Sequence, residues 1–133
     1  MLKLLKKAKV KKVVLWWGLI GIGLWINEII KQWLIKQGLT MINSGIAFGL
    51  GSGKEWIGLS FFLMIGVVVG FGFNWPTGMI ITGALSNVSD RMRWGGVLDY
   101  IRLPWLPVFN LADVMILIGV AGLIYKLKLW NQK

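Results

Sequence analysis

Three of the chain's five acidic residues, Asp90, Asp99 and Asp113, fall within 24 positions of one another. There is no histidine and no cysteine. Imidazole-based and thiolate-based hydrolysis are therefore excluded, as are the common nitrogen and sulfur metal sites. Carboxylates remain the candidates for chemistry. Asp99 lies in GGVLDYI, and Asp113 closes FNLAD. Two carboxyls that share one proton can divide a hydrolysis between them. One acts as base toward water while the other protonates a carbonyl or a leaving group. Like charges held close titrate as a pair, so such a site has macroscopic pKa values.

Each of these residues also has a structural reading. Asn110 and Asp113 stand three apart, the spacing of a helix cap in which side chains satisfy free backbone N–H groups. Asp90 beside Arg91 suggests a local ion pair. Asn43-Ser44-Gly45 has the composition of a turn. Asn87, Asp90 and Arg91, at i, i+3 and i+4, give one helix a polar face that must turn away from lipid.

The elements that carry these residues read as membrane-embedded. Hydrophobic residues make up 56% of the 133 positions, and the mean hydropathy is positive, outside the usual soluble range. The length indicates one domain covering 1–133. Apolar segments at about 13–30, 56–73 and 108–127 read as spans, the second with no charge over 18 residues, close to the roughly 20 needed to cross a bilayer. A fourth is expected at 76–92, where Pro76 suits a first helical turn although only the first half is apolar. Gly66 and Gly70 form a GxxxG pair that would suit close helix approach. Ionisable residues beside such spans usually face protein interior and serve function.

Charge and indole placement give the orientation. The net charge is +10, but six lysines (3, 6, 7, 9, 11 and 12) precede the first apolar run, and Lys126, Lys128 and Lys133 follow the last. That pattern places both termini in the cytoplasm and argues against nucleic acid as partner. Trp16, Trp17, Trp75 and Trp130 fall at the inner interface, and Trp33, Trp56, Trp94 and Trp105 at the outer one. Lys31, Lys36, Lys54, Arg91, Arg93 and Arg102 lie outside, against the rule. The basic-then-apolar start resembles a signal peptide, but no small-x-small site follows it, so an uncleaved span is expected. The two outer connections, about 31–55 and 93–107, hold most of the turn signals.

Four blocks occur in a recognisable order: INSGIAFG at 42–49, GALSNVSDR at 83–91, GGVLDYI at 95–101 and FNLAD at 109–113. A degenerate fifth, NEIIK, stands at 27–31. Together they resemble the signal peptidase II family, the bacterial lipoprotein signal peptidases, over residues 24–125. The resemblance implies an all-α membrane protein, four transmembrane helices with a small extracytoplasmic β-sheet platform. It implies an intramembrane aspartic endopeptidase with Asp99 and Asp113 catalytic. Asn43, Asn87, Arg91 and Asn110 match positions that line the site and hold substrate or the dyad. Asp90 matches a structural aspartate expected to orient Arg91, and Asn27 is expected to be structural.

The implied substrate is a prolipoprotein cut just before a diacylglyceryl-modified cysteine, with membrane lipids as surroundings and no metal or organic cofactor. A single chain in the bacterial cytoplasmic membrane is expected to be the working unit. Three departures stand out. Asn27 replaces an aspartate, Ser86 replaces a glycine, and the 14-position interval from Asp99 to Asp113 is short for the family. The competing reading is a non-enzymatic membrane protein, either a proton-coupled transporter subunit or an inactive relative. A proton relay needs carboxylates spread through the bilayer depth, whereas these three map to one boundary.

Overall fold

The computed structural model describes residues 2–45 and 55–131. Four helices and two short strands follow in the order α1 (Leu2–Lys36), β1 (Met41–Asn43), α2 (Glu55–Phe71), α3 (Trp75–Trp94), β2 (Val97–Asp99) and α4 (Leu111–Trp130). Residues 46–49 of the first block, the turn signal at 51–53, Lys54 and Lys133 lie outside the described residues.

The first helix continues beyond the segment expected as a span, so the following connection begins six residues later than 31. Asn27 and Lys31 do not end it because both are buried against α3. It stops at Gly38, whose φ of 67° is a left-handed geometry that glycine adopts without steric cost. Among the described residues, Val13–Lys36 is the one helical stretch long and apolar enough to cross a membrane, while Ile57–Phe71 is apolar but shorter.

The third helix opens on a reciprocal cap. Asn74 accepts from the Thr77 N–H, and the Thr77 hydroxyl accepts from the Asn74 N–H, with Pro76 in the first turn. Ten of its residues are buried, among them Ser86, Asn87 and Asp90. This helix is the centre of the molecule, touching α1, α2, α4 and β2. Its closest neighbour is α4. A Cβ at Gly83 would collide with the Ala112 carbonyl oxygen and Ile116, and one at Gly119 would meet Ile80 and the Pro76 carbonyl oxygen at 2.6 Å. The expected GxxxG pair has no such role here: a Cβ at Gly66 or Gly70 meets nothing within 4 Å. Close approach is achieved through Gly83 and Gly119 instead.

At the opposite end from the chain termini, β1 and β2 pair antiparallel, with Met41 opposite Asp99, Ile42 opposite Leu98 and Asn43 opposite Val97. A single bridge between Ile101 and Phe109 then folds the following loop back on itself. At the other end, Trp16 lies 6.2 Å from Trp75 and Trp17 lies 5.9 Å from Phe73, ring centre to ring centre.

Candidate active site

Period-two alternation places Asn43 and Asp99 on the same face of the two-stranded sheet, because Asn43 pairs with Val97 and Asp99 lies two residues on. The Asn43 amide donates to Asp99 Oδ2 at 3.1 Å. Its own carbonyl oxygen accepts from the Gly45 N–H at 3.1 Å, so the expected Asn-Ser-Gly turn forms and also aims the side chain. The bridge between Ile101 and Phe109 brings Asn110 beside Asp99, and the Asn110 amide donates to Asp99 Oδ1 at 3.0 Å.

The same amide donates to the side-chain oxygen of Asn87 at 3.1 Å. Asn87 in turn donates to Asp113 Oδ1 at 2.7 Å. Two asparagines therefore connect Asp99 to Asp113 without any intervening charge. The capping reading of Asn110 and Asp113 holds as well. Asp113 Oδ2 accepts from the Asn110 N–H at 3.0 Å, and the Asp113 N–H donates to Asn110 Oδ1 at 3.1 Å. Capping uses one carboxylate oxygen to fix the rotamer, and the carboxyl still faces the cavity.

That cavity has a volume of about 490 Å³. Asn43, Asn87, Asp99 and Asp113 supply its polar wall, and Phe109, Val114 and Leu117 are among its apolar residues. Asp99 is 3% exposed. Burial raises its carboxyl above the ordinary 3.8, and the charge of Asp113 adds to that, while the amides of Asn43 and Asn110 oppose it. A carboxyl so placed holds a proton more readily than a free one, as an acid–base partner must.

Arg91 reaches the site from α3. Its guanidinium donates to the Asn87 carbonyl oxygen at 3.4 Å and to the Gly45 carbonyl oxygen at 3.3 Å. The expected pairing of Asp90 with Arg91 does not occur. Consecutive helical residues point about 100° apart, so Arg91 faces the site with Asn87, four residues before it. Asp90 faces α1 with Ser86, four residues before it. The supposed single polar face is two adjacent rows.

Asp90 accepts from Lys31 Nζ at 2.7 Å and from the Leu98 N–H at 3.1 Å. The Lys31 ammonium, 1% exposed, also donates to Ser86 Oγ at 2.7 Å. Asn27 is fully buried, donating to Ser86 Oγ at 2.9 Å and accepting from the Tyr100 hydroxyl at 2.8 Å. Two of the three departures, Asn27 and Ser86, thus touch each other. The contacts of three of the six basic residues that ran against the orientation rule are also defined. Lys31 is buried in an ion pair, Arg91 donates to the Asn87 and Gly45 carbonyl oxygens, and Arg93 lies 3.5 Å from Glu28. Lys31 and Tyr100 are the two residues whose part was missed. The i, i+4 spacing of Asn27 and Lys31 was the available signal for the first, and the position of Tyr100 directly after Asp99 for the second.

Comparison with known proteins identifies the family and the fold. Residues 14–129 match the family model described as signal peptidase (SPase) II. A lipoprotein signal peptidase of Syntrophomonas wolfei is 37% identical over 129 residues, covering 77% of this chain and 85% of that protein. One from Nostoc punctiforme is 34% identical over 137 residues, covering 83% and 87%. A bacterial membrane enzyme solved by the in meso method at 2.3 Å resolution has the same fold, with a TM-score of 0.73 at 23% identity over 89% of this chain and 88% of that one. A second, at 1.9 Å resolution, gives 0.70 at 24% identity over 89% and 93%. A chain matched by that model over nearly its whole length, and by relatives above 30% identity, belongs to the signal peptidase II family.

Proposed function

We propose that this protein is an intramembrane aspartic endopeptidase that removes the signal peptide from diacylglyceryl-modified prolipoproteins, cutting just before the lipidated cysteine. Asp99 and Asp113 are its catalytic pair. The observation that carries this reading is their connection through Asn110 and Asn87 across the polar wall of one apolar-lined cavity. One carboxyl enters the reaction protonated and the other ionised. The ionised one takes a proton from water as that water attacks the scissile carbonyl, and the protonated one delivers its proton to the carbonyl oxygen. Arg91 and the Asn43 amide orient the substrate backbone. The apolar remainder of the cavity receives the acyl chains and flanking residues.

The four helices act as four spans in the bacterial cytoplasmic membrane, with both termini in the cytoplasm and the sheet on the outer side, where the lipidated cysteine of a substrate lies. Asp90, Asp99 and Asp113 gather at one end of α3 and α4 rather than along their length, which suits chemistry at a boundary and not a proton path. The test is cleavage of a purified lipidated prolipoprotein. Asp99→Asn and Asp113→Asn should each lower turnover by about 10²–10⁴-fold while the protein stays folded. Full cleavage by either variant removes the pair from the reaction.

A further inference from the structure

Tyr100 grips the chain on both sides of Asn110. Its backbone N–H donates to the Phe109 carbonyl oxygen at 3.1 Å, and its hydroxyl accepts from the Leu111 N–H at 3.2 Å. Leu111 is the first residue of α4, so that N–H is one of the donors a helix start leaves without an intrahelical partner. The hydroxyl proton goes to Asn27 Oδ1 of α1 at 2.8 Å. Asn27 is fixed in turn because its amide donates to Ser86 of α3.

Burial holds the Tyr100 hydroxyl proton on by raising its pKa above 10.0, with the charges of Asp90, Asp113 and Glu28 acting the same way against the Leu111 hydrogen bond. The hydroxyl therefore remains a donor across working pH. Asn110, the residue it brackets, is fully buried and is the one whose amide reaches Asp99.

We propose that Tyr100 is a positioning residue of the reaction: its hydroxyl, anchored on Asn27, locks the start of α4 so that Asn110 bonds Asp99 and, through Asn87, links it to Asp113. This rests on the assignment of Asp99 and Asp113 as the catalytic pair. Without the hydroxyl, the Leu111 N–H loses its partner, the first turn of α4 loosens and the two carboxyls are held less closely. Weaker repulsion from Asp113, one of the causes that raise the Asp99 carboxyl, lets Asp99 ionise at lower pH.

The experiment compares full-length wild type, Tyr100→Phe, Asn27→Ala, Asp99→Asn and Asp113→Asn on one lipidated substrate, with Tm recorded for each. Tyr100→Phe should lower kcat about tenfold with KM within about twofold of wild type, the pattern of an interaction used in the chemical step. The basic limb of its pH–rate profile should move to lower pH. A change in the folded fraction scales that profile without moving its limbs, so the shift separates positioning from mere stability. Asn27→Ala removes the anchor from the other side and should reproduce the shift, and the double variant should be no worse than either single one. If Tyr100→Phe or Asn27→Ala keeps the wild-type kcat and limb while both aspartate variants are inactive, the role of Tyr100 is overturned alone. If the aspartate variants remain active, the assignment of the pair falls first.

Discussion

Asp99 shows how a single side chain is set against the stability of its own fold. Its folded-state carboxyl binds a proton more readily than an unfolded one, because burial dominates over the two amide donors. The folded state then holds more protons than the unfolded state once the pH exceeds 3.8, so stability falls as pH rises through the folded pKa. Asp99→Asn removes that titration. At neutral pH the variant should be more stable than wild type, with the difference vanishing as pH is lowered toward 3.8, while turnover is lost. Thermal melts in detergent at several pH values check this. A variant that melts below wild type at neutral pH would mean that the charged form is the favoured one.

Among the elements, the contact between α3 and α4 decides whether the site exists. Asn87 lies one turn along α3 from Gly83, and Asp113 follows Ala112, whose carbonyl oxygen a Cβ at Gly83 would strike. Gly83→Ala should push α4 outward, lengthen the 2.7 Å bond from Asn87 to Asp113 and lower stability by about 1–3 kcal/mol through overpacking. Turnover should fall with it. Gly66→Ala, on α2 where an added Cβ meets no neighbour within 4 Å, should leave stability within about 0.5 kcal/mol or improve it through helix propensity. Equal effects at both sites would show that this helix contact does not hold the pair. The buried pair of Lys31 and Asp90 works at the same level: it ties α1 to α3 and, through the Leu98 N–H, to the strand that carries Asp99.

For the whole molecule, the proposed orientation follows from charge. Helix α1 is about 52 Å long at 1.5 Å per residue, more than a bilayer core of about 30 Å needs, so in the proposed orientation its lysine-rich start would lie beyond the membrane. With no native cysteine, single cysteines report sidedness directly. In intact spheroplasts an impermeant thiol reagent should label Trp105→Cys, at a fully exposed position, and leave Lys6→Cys and Asn131→Cys unlabelled until the cells are lysed. Labelling of either terminus in intact cells would reverse the orientation.

The chain's own residues determined its membrane character, its four helical segments, the catalytic candidates and the caps, because these depend on local composition and on spacings of three or four residues. The blocks that carry Asn43, Asn87, Asp99 and Asn110 were likewise readable, as ordered motifs. The partners were not. Adjacent side chains on α3 diverge, so the neighbour of Asp90 was a matter of which helix packs on which row, and that neighbour is Lys31, 59 positions away. In the same way, nothing near Tyr100 in the chain marks Asn27, 73 positions distant, as the acceptor of its proton. Only the close packing of α1, α3 and α4 brings such groups within hydrogen-bond reach, and buried polar groups then pair with whatever the fold places beside them.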